Sequence, residues 1–271
     1  MKVDAHQHFW MLDRGDYGWL TPDLAPLYRD FQPADLTPHL TDCEVEGTIL
    51  VQAAPTLAET HYMLELAAQN DFVLGVVGWV DLEAKDAAEQ IATLAENPKL
   101  VGLRPMIQDI PDDDWMLRPE LAVGFEAMIA HNLTFDALVL PRHLKNLMAL
   151  MGRHPNLRVV IDHGAKPEIR HGQFDEWAHD MATLANETDA YCKLSGLVTE
   201  AGQDWSIDDI APYVAHLLEC FGPNRLIWGS DWPVCTLAAT YQQWHDMAQR
   251  LVGPNSAGIF GKNAQKAYRL P

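Results

Sequence analysis

Eight short runs rich in β-forming residues recur along the chain, and a helix-like segment follows each of them. Several of these runs, such as GTILV, VLGVVGWV and LRVVI, are almost continuously apolar, which is typical of strands covered on both faces. Repeated strand–helix units with short links predict a parallel sheet. The predicted strands are 2–9, 47–53, 72–80, 100–105, 133–138, 157–163, 190–195 and 225–230.

The segments between the strands carry helical signals. Residues 59–70 place apolar side chains on one face, and segment 119–131 opens with a proline, which suits a first helical turn. Pro141 opens another predicted helix, and Asp208 lies in the first turn of one that leads to Phe221 and Gly222.

Eight strand–helix units in 271 residues predict a closed (β/α)₈ TIM barrel, with residues 1–271 forming a single domain. The alternative is an open, doubly wound sheet. No GxGxxG or GxxxxGK[ST] motif follows the first strand to support that alternative.

Composition restricts the partners and the compartment. Asp and Glu number 38 against 19 Lys and Arg, and a net charge of -19 disfavours nucleic acid and membrane surfaces as partners. The four cysteines have no close ligand spacing and form no disulfide framework, so we expect reduced thiols in a cytoplasmic protein. No signal peptide is visible, and no apolar run approaches the ~20 residues of a membrane span. The sequence does not indicate an oligomeric state.

Four titratable residues lie at predicted carboxyl-terminal strand ends, where the strands of a barrel converge. Side chains alternate along a strand, so His6 and His8 should point the same way, with Asp4 one layer deeper. His163 ends the sixth strand, with residues 159 and 161 in register behind it, and Asp231 ends the eighth strand. The four together predict a catalytic or metal-binding site.

Other residues near strand ends are candidates for substrate binding, and core packing or ion pairing would explain each of them as well. Three long segments that follow strands, 9–32, 105–118 and 196–206, should cover the same face, and the first is rich in aromatic residues that could wall a pocket. The candidate binding residues are Arg104, Lys193, Gln52, Trp79 and Trp232.

Several motifs extend around the candidate site residues and along the rest of the chain. They include VDAHQHFW, GTILVQAAPTLAET, LVGLRPMIQD, VIDHGAKP, KLSGLVTEA and RLIWGSDWPVC. Together they resemble the amidohydrolase superfamily, specifically its amidohydrolase-2 branch of sugar-lactone hydrolases, the L-fuconolactonase- and L-rhamnonolactonase-like proteins. The resemblance covers residues 3–270 and implies a TIM barrel that opens the ester ring of a sugar lactone.

Metal-dependent members of that superfamily resemble one another in HxH on strand one, Lys or Glu on strand four, His on strands five and six, and Asp on strand eight. Here Arg104 ends strand four and cannot bridge metals, and Asp136 takes the place of the strand-five His. The sequence therefore predicts no binuclear centre. It leaves two alternatives, a metal-free site or a single Zn²⁺ on His6, His8, His163 and Asp231.

The predicted mechanism uses Asp231 as the general base that takes a proton from water. His6, His8, Arg104 or Lys193 would stabilise the oxyanion, and Asp231 would return the proton to the departing ring oxygen. Two alternatives remain open at this point: other superfamily chemistry, such as a metal-dependent decarboxylase or the hydrolysis of a carboxylated lactone, and a non-catalytic sugar-binding barrel.

Overall fold

A parallel sheet forms the centre of the molecule, and each strand in it pairs with the next along the chain. The computed structural model describes residues 1–255 and 257–270. A parallel bridge between Gln7 and Trp232 joins the two edges of the sheet, and the backbone N–H of His8 donates to the carbonyl of Trp232 over 2.8 Å. The sheet is thus closed into a barrel, which confirms the predicted fold class. The strands are β1 (Val3–Gln7), β2 (Gly47–Val51), β3 (Val73–Gly78), β4 (Leu100–Leu103), β5 (Thr134–Ala137), β6 (Val159–Ile161), β7 (Tyr191–Leu194) and β8 (Leu226–Trp228).

Helices surround the barrel and make the connections that parallel strands require. Three-residue 3₁₀ turns at Pro119–Leu121 and Pro141–His143 lead into the fourth and fifth helices, where prolines open the turns as predicted. The α-helices are α1 (Pro33–Asp42), α2 (Leu57–Gln69), α3 (Ala87–Leu94), α4 (Ala122–Ala130), α5 (Leu144–Arg153), α6 (Asp175–Glu187), α7 (Leu197–Ala201), α8 (Ile207–Arg225), α9 (Tyr241–Val252) and α10 (Asn263–Tyr268).

The end of α8 agrees with the sequence prediction. The helical geometry that begins at Ile207 breaks at Gly222, where φ is 63° and ψ is 177°, and a short helical segment after the break extends to Arg225. Gly222 suits this break because a residue without a Cβ adopts positive φ at little cost.

The apolar core has two parts. The larger part lies between the outer face of the sheet and the helices, and the smaller part fills the inside of the barrel with residues such as Val3, Ile49 and Ile227. Helix α10 lies at the amino-terminal end of the strands, because the hydroxyl of Thr134, the first residue of β5, donates to the carbonyl of Ala267 over 2.8 Å. The carboxyl-terminal end of the barrel carries the polar residues described below.

Two further sequence expectations concern cysteines and membranes. Cys43, Cys192, Cys220 and Cys235 are all free thiols, and three of them are buried. Over residues 1–255 and 257–270, the helices include none whose length and apolar character would suit a membrane crossing.

Candidate active site

The four predicted site residues meet at the carboxyl-terminal end of the barrel. The ring centroid of His6 lies 4.9 Å from that of His8 and 4.5 Å from that of His163. One carboxylate oxygen of Asp231 lies 3.3 Å from Nε2 of His8 and 3.7 Å from Nε2 of His6. All four side chains belong to buried residues. The strand-end argument therefore found residues that come together in space.

On β1, the directions of the side chains that precede His6 and His8 differ from the prediction. A register shift lies between Asp4 and Gln7, so the alternation of side chains is interrupted there. Asp4 points outward to α9, where the hydroxyl of Tyr241 donates to it over 3.1 Å, while its other oxygen accepts from the backbone N–H of Ser230 over 2.8 Å. Asp4 thus joins β1 to the chain after β8 and does not lie beneath His6.

The register on β6 also differs. Val160 belongs to the interior of the barrel, whereas Val159 and Ile161 pack toward the helices, so they do not lie behind His163 as expected. His163 points into the site because its backbone turns to φ 55° directly after the strand. The alternation instead directs the neighbouring Asp162 into the barrel.

Two of the site residues have unusual backbone conformations. His163 and Asp231 have φ values of 55° and 58°, in the left-handed region that side chains with a Cβ rarely adopt. Each is held by neighbours: the backbone N–H of Asp231 donates to the carbonyl of His6 over 2.7 Å, and Nδ1 of His163 lies 2.9 Å from the hydroxyl of Ser195. Strained residues of this kind persist where surrounding contacts fix them, and they cluster at functional sites.

The protonation states suit acid–base chemistry. Burial raises the pKa of the Asp231 carboxyl, but the neighbouring His163 and the hydrogen bond from His8 outweigh burial and hold that pKa below its usual range. Burial lowers the pKa of His163 to about 4, and burial together with Lys193 lowers the pKa of His6 well below its ordinary value. At neutral pH the site therefore places an ionised carboxylate beside the unprotonated rings of His6 and His163.

A buried cluster of charges lies beneath His6, and the sequence reasoning missed its central carboxylate. The ammonium of Lys193 lies 2.5 Å from Asp136, 2.9 Å from Asp162 and 3.1 Å from Nδ1 of His6. Arg104 lies 3.2 Å from the other oxygen of Asp162 and 3.3 Å from Nε2 of His6. Burial raises the pKa of Asp162, but Lys193, His6 and Arg104 outweigh it and hold the pKa well below the usual range. Asp162 is therefore the counter-ion of both buried cations.

A cavity of about 220 Å³ opens above these residues. Its wall includes His8, His163, Asp231 and Arg104, together with residues from the loops that follow six of the strands. These loop residues are Trp19 after β1, Ala53 after β2, Met106, Gln108 and Asp109 from the long segment after β4, Leu138 after β5, Lys166 after β6 and Val234 after β8. Segments 9–32 and 105–118 both contribute to the wall, as expected from the sequence, although these individual residues were not predicted.

Of the five predicted substrate-binding residues, the structure places one in the cavity wall and the other four outside it. Arg104 lines the cavity, whereas Lys193 is fully buried among its carboxylate partners. The side-chain amide of Gln52 donates to the carbonyl of Arg104 over 2.7 Å, and Trp232 is buried against Phe9 and Phe31. Trp79 is not part of the cavity wall, and its backbone N–H and carbonyl both bind the hydroxyl of Thr60.

The donor set fits one metal ion. His6, His163 and Asp231 each offer a ligand atom, and these three atoms lie within 4.8 Å of one another. Nδ1 of His8 lies 2.8 Å from the carbonyl of Val51, and its Nε2 faces the Asp231 carboxylate. A bound ion would have to replace this contact at Nε2, so His8 would be a further ligand beside the other three residues. Imidazole and carboxylate ligands are those that Zn²⁺ prefers.

A comparison with protein families identifies the family of the chain. The family model described as Amidohydrolase matches residues 3–270. The chain belongs to the amidohydrolase family.

Relatives of this amidohydrolase cover its whole length. It is 47% identical to an L-fucono-1,5-lactonase of Burkholderia ambifaria, over 99% of this chain and 96% of the relative. A second L-fucono-1,5-lactonase, from Burkholderia multivorans, is 35% identical over 100% of this chain and 97% of the relative. A crystal structure of an amidohydrolase from Burkholderia multivorans with bound zinc is 35% identical, with a TM-score of 0.93 and complete coverage of both chains. The resemblance found from the sequence motifs is confirmed.

We predict that Lys193→Met destabilises this amidohydrolase by about 3–5 kcal/mol, because Asp136 and Asp162 would remain buried without their shared cation. Urea unfolding followed by circular dichroism measures the effect. Lys85→Met, at an exposed position, is the matched control and should unfold like the unaltered protein. A stable Lys193→Met variant whose only change is a higher KM would instead favour the substrate-binding role expected from the sequence.

Proposed function

We propose that this protein opens the ester ring of a neutral sugar lactone and releases the aldonic acid. Two L-fucono-1,5-lactonases, 47% and 35% identical over nearly the whole chain, are the basis for the reaction class. The chain is an enzyme, a carboxylic ester hydrolase of the lactonase type. A decarboxylase would need cationic groups free to bind a substrate carboxylate, whereas Arg104 and Lys193 are already paired with buried carboxylates. A site built on a carboxylate and three imidazoles argues against a non-catalytic sugar-binding barrel, because sugar binding alone needs no such base.

The observation that carries the proposed mechanism is the ionised Asp231 carboxylate at the cavity wall, next to His8 and His163. Asp231 accepts a proton from the attacking water, and its low pKa keeps it available for this step at neutral pH. The oxyanion that forms on the lactone carbonyl then needs donors fixed in advance. His8 and Arg104 line the cavity and supply them, and Asp231 returns the proton to the departing ring oxygen.

Lys193 has no part in this mechanism. Its ammonium lies between Asp136 and Asp162 and is fully buried, so its donors are already engaged below the cavity. Its contact with Nδ1 of His6 instead fixes the orientation of that ring. His6 in turn lies 3.7 Å from Asp231, which limits the positions open to the catalytic carboxylate.

A single divalent ion fits the same residues. His6, His163 and Asp231 would hold it, with His8 beside Asp231 as a further ligand. When bound, such an ion would polarise a carbonyl oxygen as a Lewis acid. A second ion is disfavoured, because Arg104 at the end of β4 has no lone pair with which to bridge two metals, and the carboxylate of Asp136 on β5 is already paired with Lys193.

The charges around the cavity support a neutral substrate. Asp109 and Asp231 both line it, the charge of Arg104 is balanced by Asp162, and Lys166 faces Glu200 at 3.8 Å. A substrate with its own carboxylate would meet two carboxylates and find no unbalanced cation among these groups. A sugar lactone, by contrast, offers only hydroxyls and carbonyl oxygens.

We predict that Asp231→Asn lowers kcat for lactone hydrolysis by at least about 10³-fold, because the amide has the shape of the carboxylate but cannot accept the proton. Acid release followed with a pH indicator measures the rate, and circular dichroism checks the fold. Asp208→Asn, on the exposed first turn of α8, is the control and should keep full activity. Turnover by Asp231→Asn close to that of the control would exclude Asp231 as the base.

For the substrate, we predict that L-fucono-, L-rhamnono- or L-galactonolactone is hydrolysed with a kcat/KM at least about 10²-fold above that of a carboxylated lactone or an N-acyl amide. Asp109→Asn should raise kcat/KM for the carboxylated lactone toward the value for the sugar lactones, because it removes one of the two charges that repel the substrate carboxylate. A preference for the amide, or for the carboxylated lactone, would refute this proposal. Release of CO₂ from an aromatic acid would instead favour the decarboxylase alternative.

For the metal, we expect at most one tightly held divalent ion per chain, and appreciable lactonase activity after chelation. Elemental analysis of the purified protein before and after dialysis against a chelator measures both. Two tightly held ions per chain, or complete loss of activity that added zinc restores, would contradict this expectation.

A further inference from the structure

Glu59 is a fully buried carboxylate that has no place in the mechanism above. It lies in the first turn of α2, where its backbone N–H donates to the hydroxyl of Thr56, the residue that caps the helix. Glu59 does not line the cavity. A carboxyl group at 0% exposure is costly to bury, so the contacts that retain it indicate what it holds.

The carboxylate of Glu59 contacts two of the loops that wall the cavity. The hydroxyl of Tyr17, in the segment after β1, donates to one carboxylate oxygen over 2.7 Å, and Arg14 lies 3.6 Å from the same oxygen. The other oxygen accepts from the backbone N–H of Ala53, after β2, over 3.2 Å. Glu59 therefore joins the loop after β1 to the loop after β2.

The same two loops meet again at Trp19. Its indole N–H donates to the carbonyl of Ala53 over 2.8 Å, so the two backbone groups of Ala53 connect Glu59 on one side with Trp19 on the other. Trp19 follows Tyr17 by two residues, and both Trp19 and Ala53 line the cavity. The indole is thus fixed through two routes, and Glu59 lies on both.

Apart from the hydrogen bonds that lead to Glu59, Trp19 is supported by Trp10, which is fully buried and packs edge-on against its ring with 5.5 Å between centroids. Trp19 itself is 37% exposed, and apart from the buried residues Tyr17, Leu20 and Leu27, the part of the loop from residue 15 to residue 30 is exposed or half-buried. The regular structure before and after this part consists of the 3₁₀ turn Leu12–Arg14 and the bridge between Trp10 and Phe31. The loop therefore depends on a few anchors, of which the Tyr17–Glu59 hydrogen bond lies nearest to Trp19 along the chain.

We propose that Glu59 is a positioning residue that holds the Trp19 indole at the cavity wall and thereby sets the affinity for the lactone, an inference that rests on the proposed function. An apolar ring face fixed in advance beside a sugar ring improves binding, because no loop has to be ordered when the substrate enters. Loss of this positioning should therefore raise KM, whereas kcat, which reports the chemical step, should change little.

The charges around Glu59 add a dependence on pH. Burial raises the pKa of Glu59 to about 7 and the nearby Asp16 adds to the rise, while Tyr17, the N–H of Ala53 and Arg14 act in the opposite direction. Arg14 is itself held by Asp16 over 2.6 Å and stacks on Tyr62 of α2. A carboxyl whose pKa is higher in the anchored state than in water favours that state at low pH, and the advantage is lost as pH rises through about 7. The anchored loop is thus most populated on the acid side of neutrality.

Steady-state kinetics and hydrogen exchange test the proposal together. In Glu59→Ala we expect KM for the lactone to rise about tenfold with kcat within about threefold. Amides of residues 12–22 should exchange faster, whereas exchange in the barrel strands should not change. Tyr17→Phe, which removes one hydrogen bond, should show a smaller change of the same kind. Glu65→Gln, an exposed position on the same helix, should leave both readouts unchanged.

The pH profile separates positioning from general stabilisation. KM of the unaltered enzyme should rise between about pH 5 and pH 8, whereas KM of Glu59→Gln, which stays uncharged, should lack this rise. Unchanged KM and exchange in Glu59→Ala, or the same rise in KM in Glu59→Gln, would overturn the proposal. Absence of lactone hydrolysis by the unaltered protein would refute the proposed function instead, and the exchange of residues 12–22 would still decide whether Glu59 anchors the loop.

Discussion

The buried ammonium of Lys193 is the interaction on which the active site depends. It lies between Asp136 and Asp162 in the interior of the barrel, and it also contacts His6. Charges buried this deeply are tolerated only when they are paired and hydrogen-bonded, so each group in the cluster fixes the position of the next. Arg104 extends the cluster from Asp162 to the cavity wall. The positions of His6 and Arg104 at the mouth are therefore set from below, by electrostatics inside the barrel.

The sequence was sufficient for the fold and for the four residues that meet at the mouth. Repeated strand–helix units leave few topologies, and polar residues at carboxyl-terminal strand ends converge in any barrel. The sequence did not show where the alternation of side chains along a strand is interrupted. A register shift turns Asp4 outward, and a left-handed residue turns His163 inward while Asp162 takes the interior position. Such local departures follow from contacts across the barrel, which a single sequence does not display.

Burial was the other quantity that sequence could not supply. Lys193, Gln52 and Trp232 lie near strand ends like Arg104, and nothing in their residue types distinguishes the one that reaches the cavity. The structure separates them by partner: carboxylates bind Lys193, a backbone carbonyl binds Gln52, and aromatic rings surround Trp232. Glu59 illustrates the same limit, since a glutamate in the first turn of a helix is typical of a solvated capping residue.

The closure of the barrel has a consequence for the synthesis of the protein. His8 comes from the first strand–helix unit and Asp231 from the last, 223 residues later, and the bridge between Gln7 and Trp232 brings them together. A nascent chain on the ribosome can form the early units as they emerge, but it lacks the proposed base, Asp231, until the eighth unit docks against the first. Under the proposed mechanism, measured turnover therefore counts only molecules whose barrel has closed.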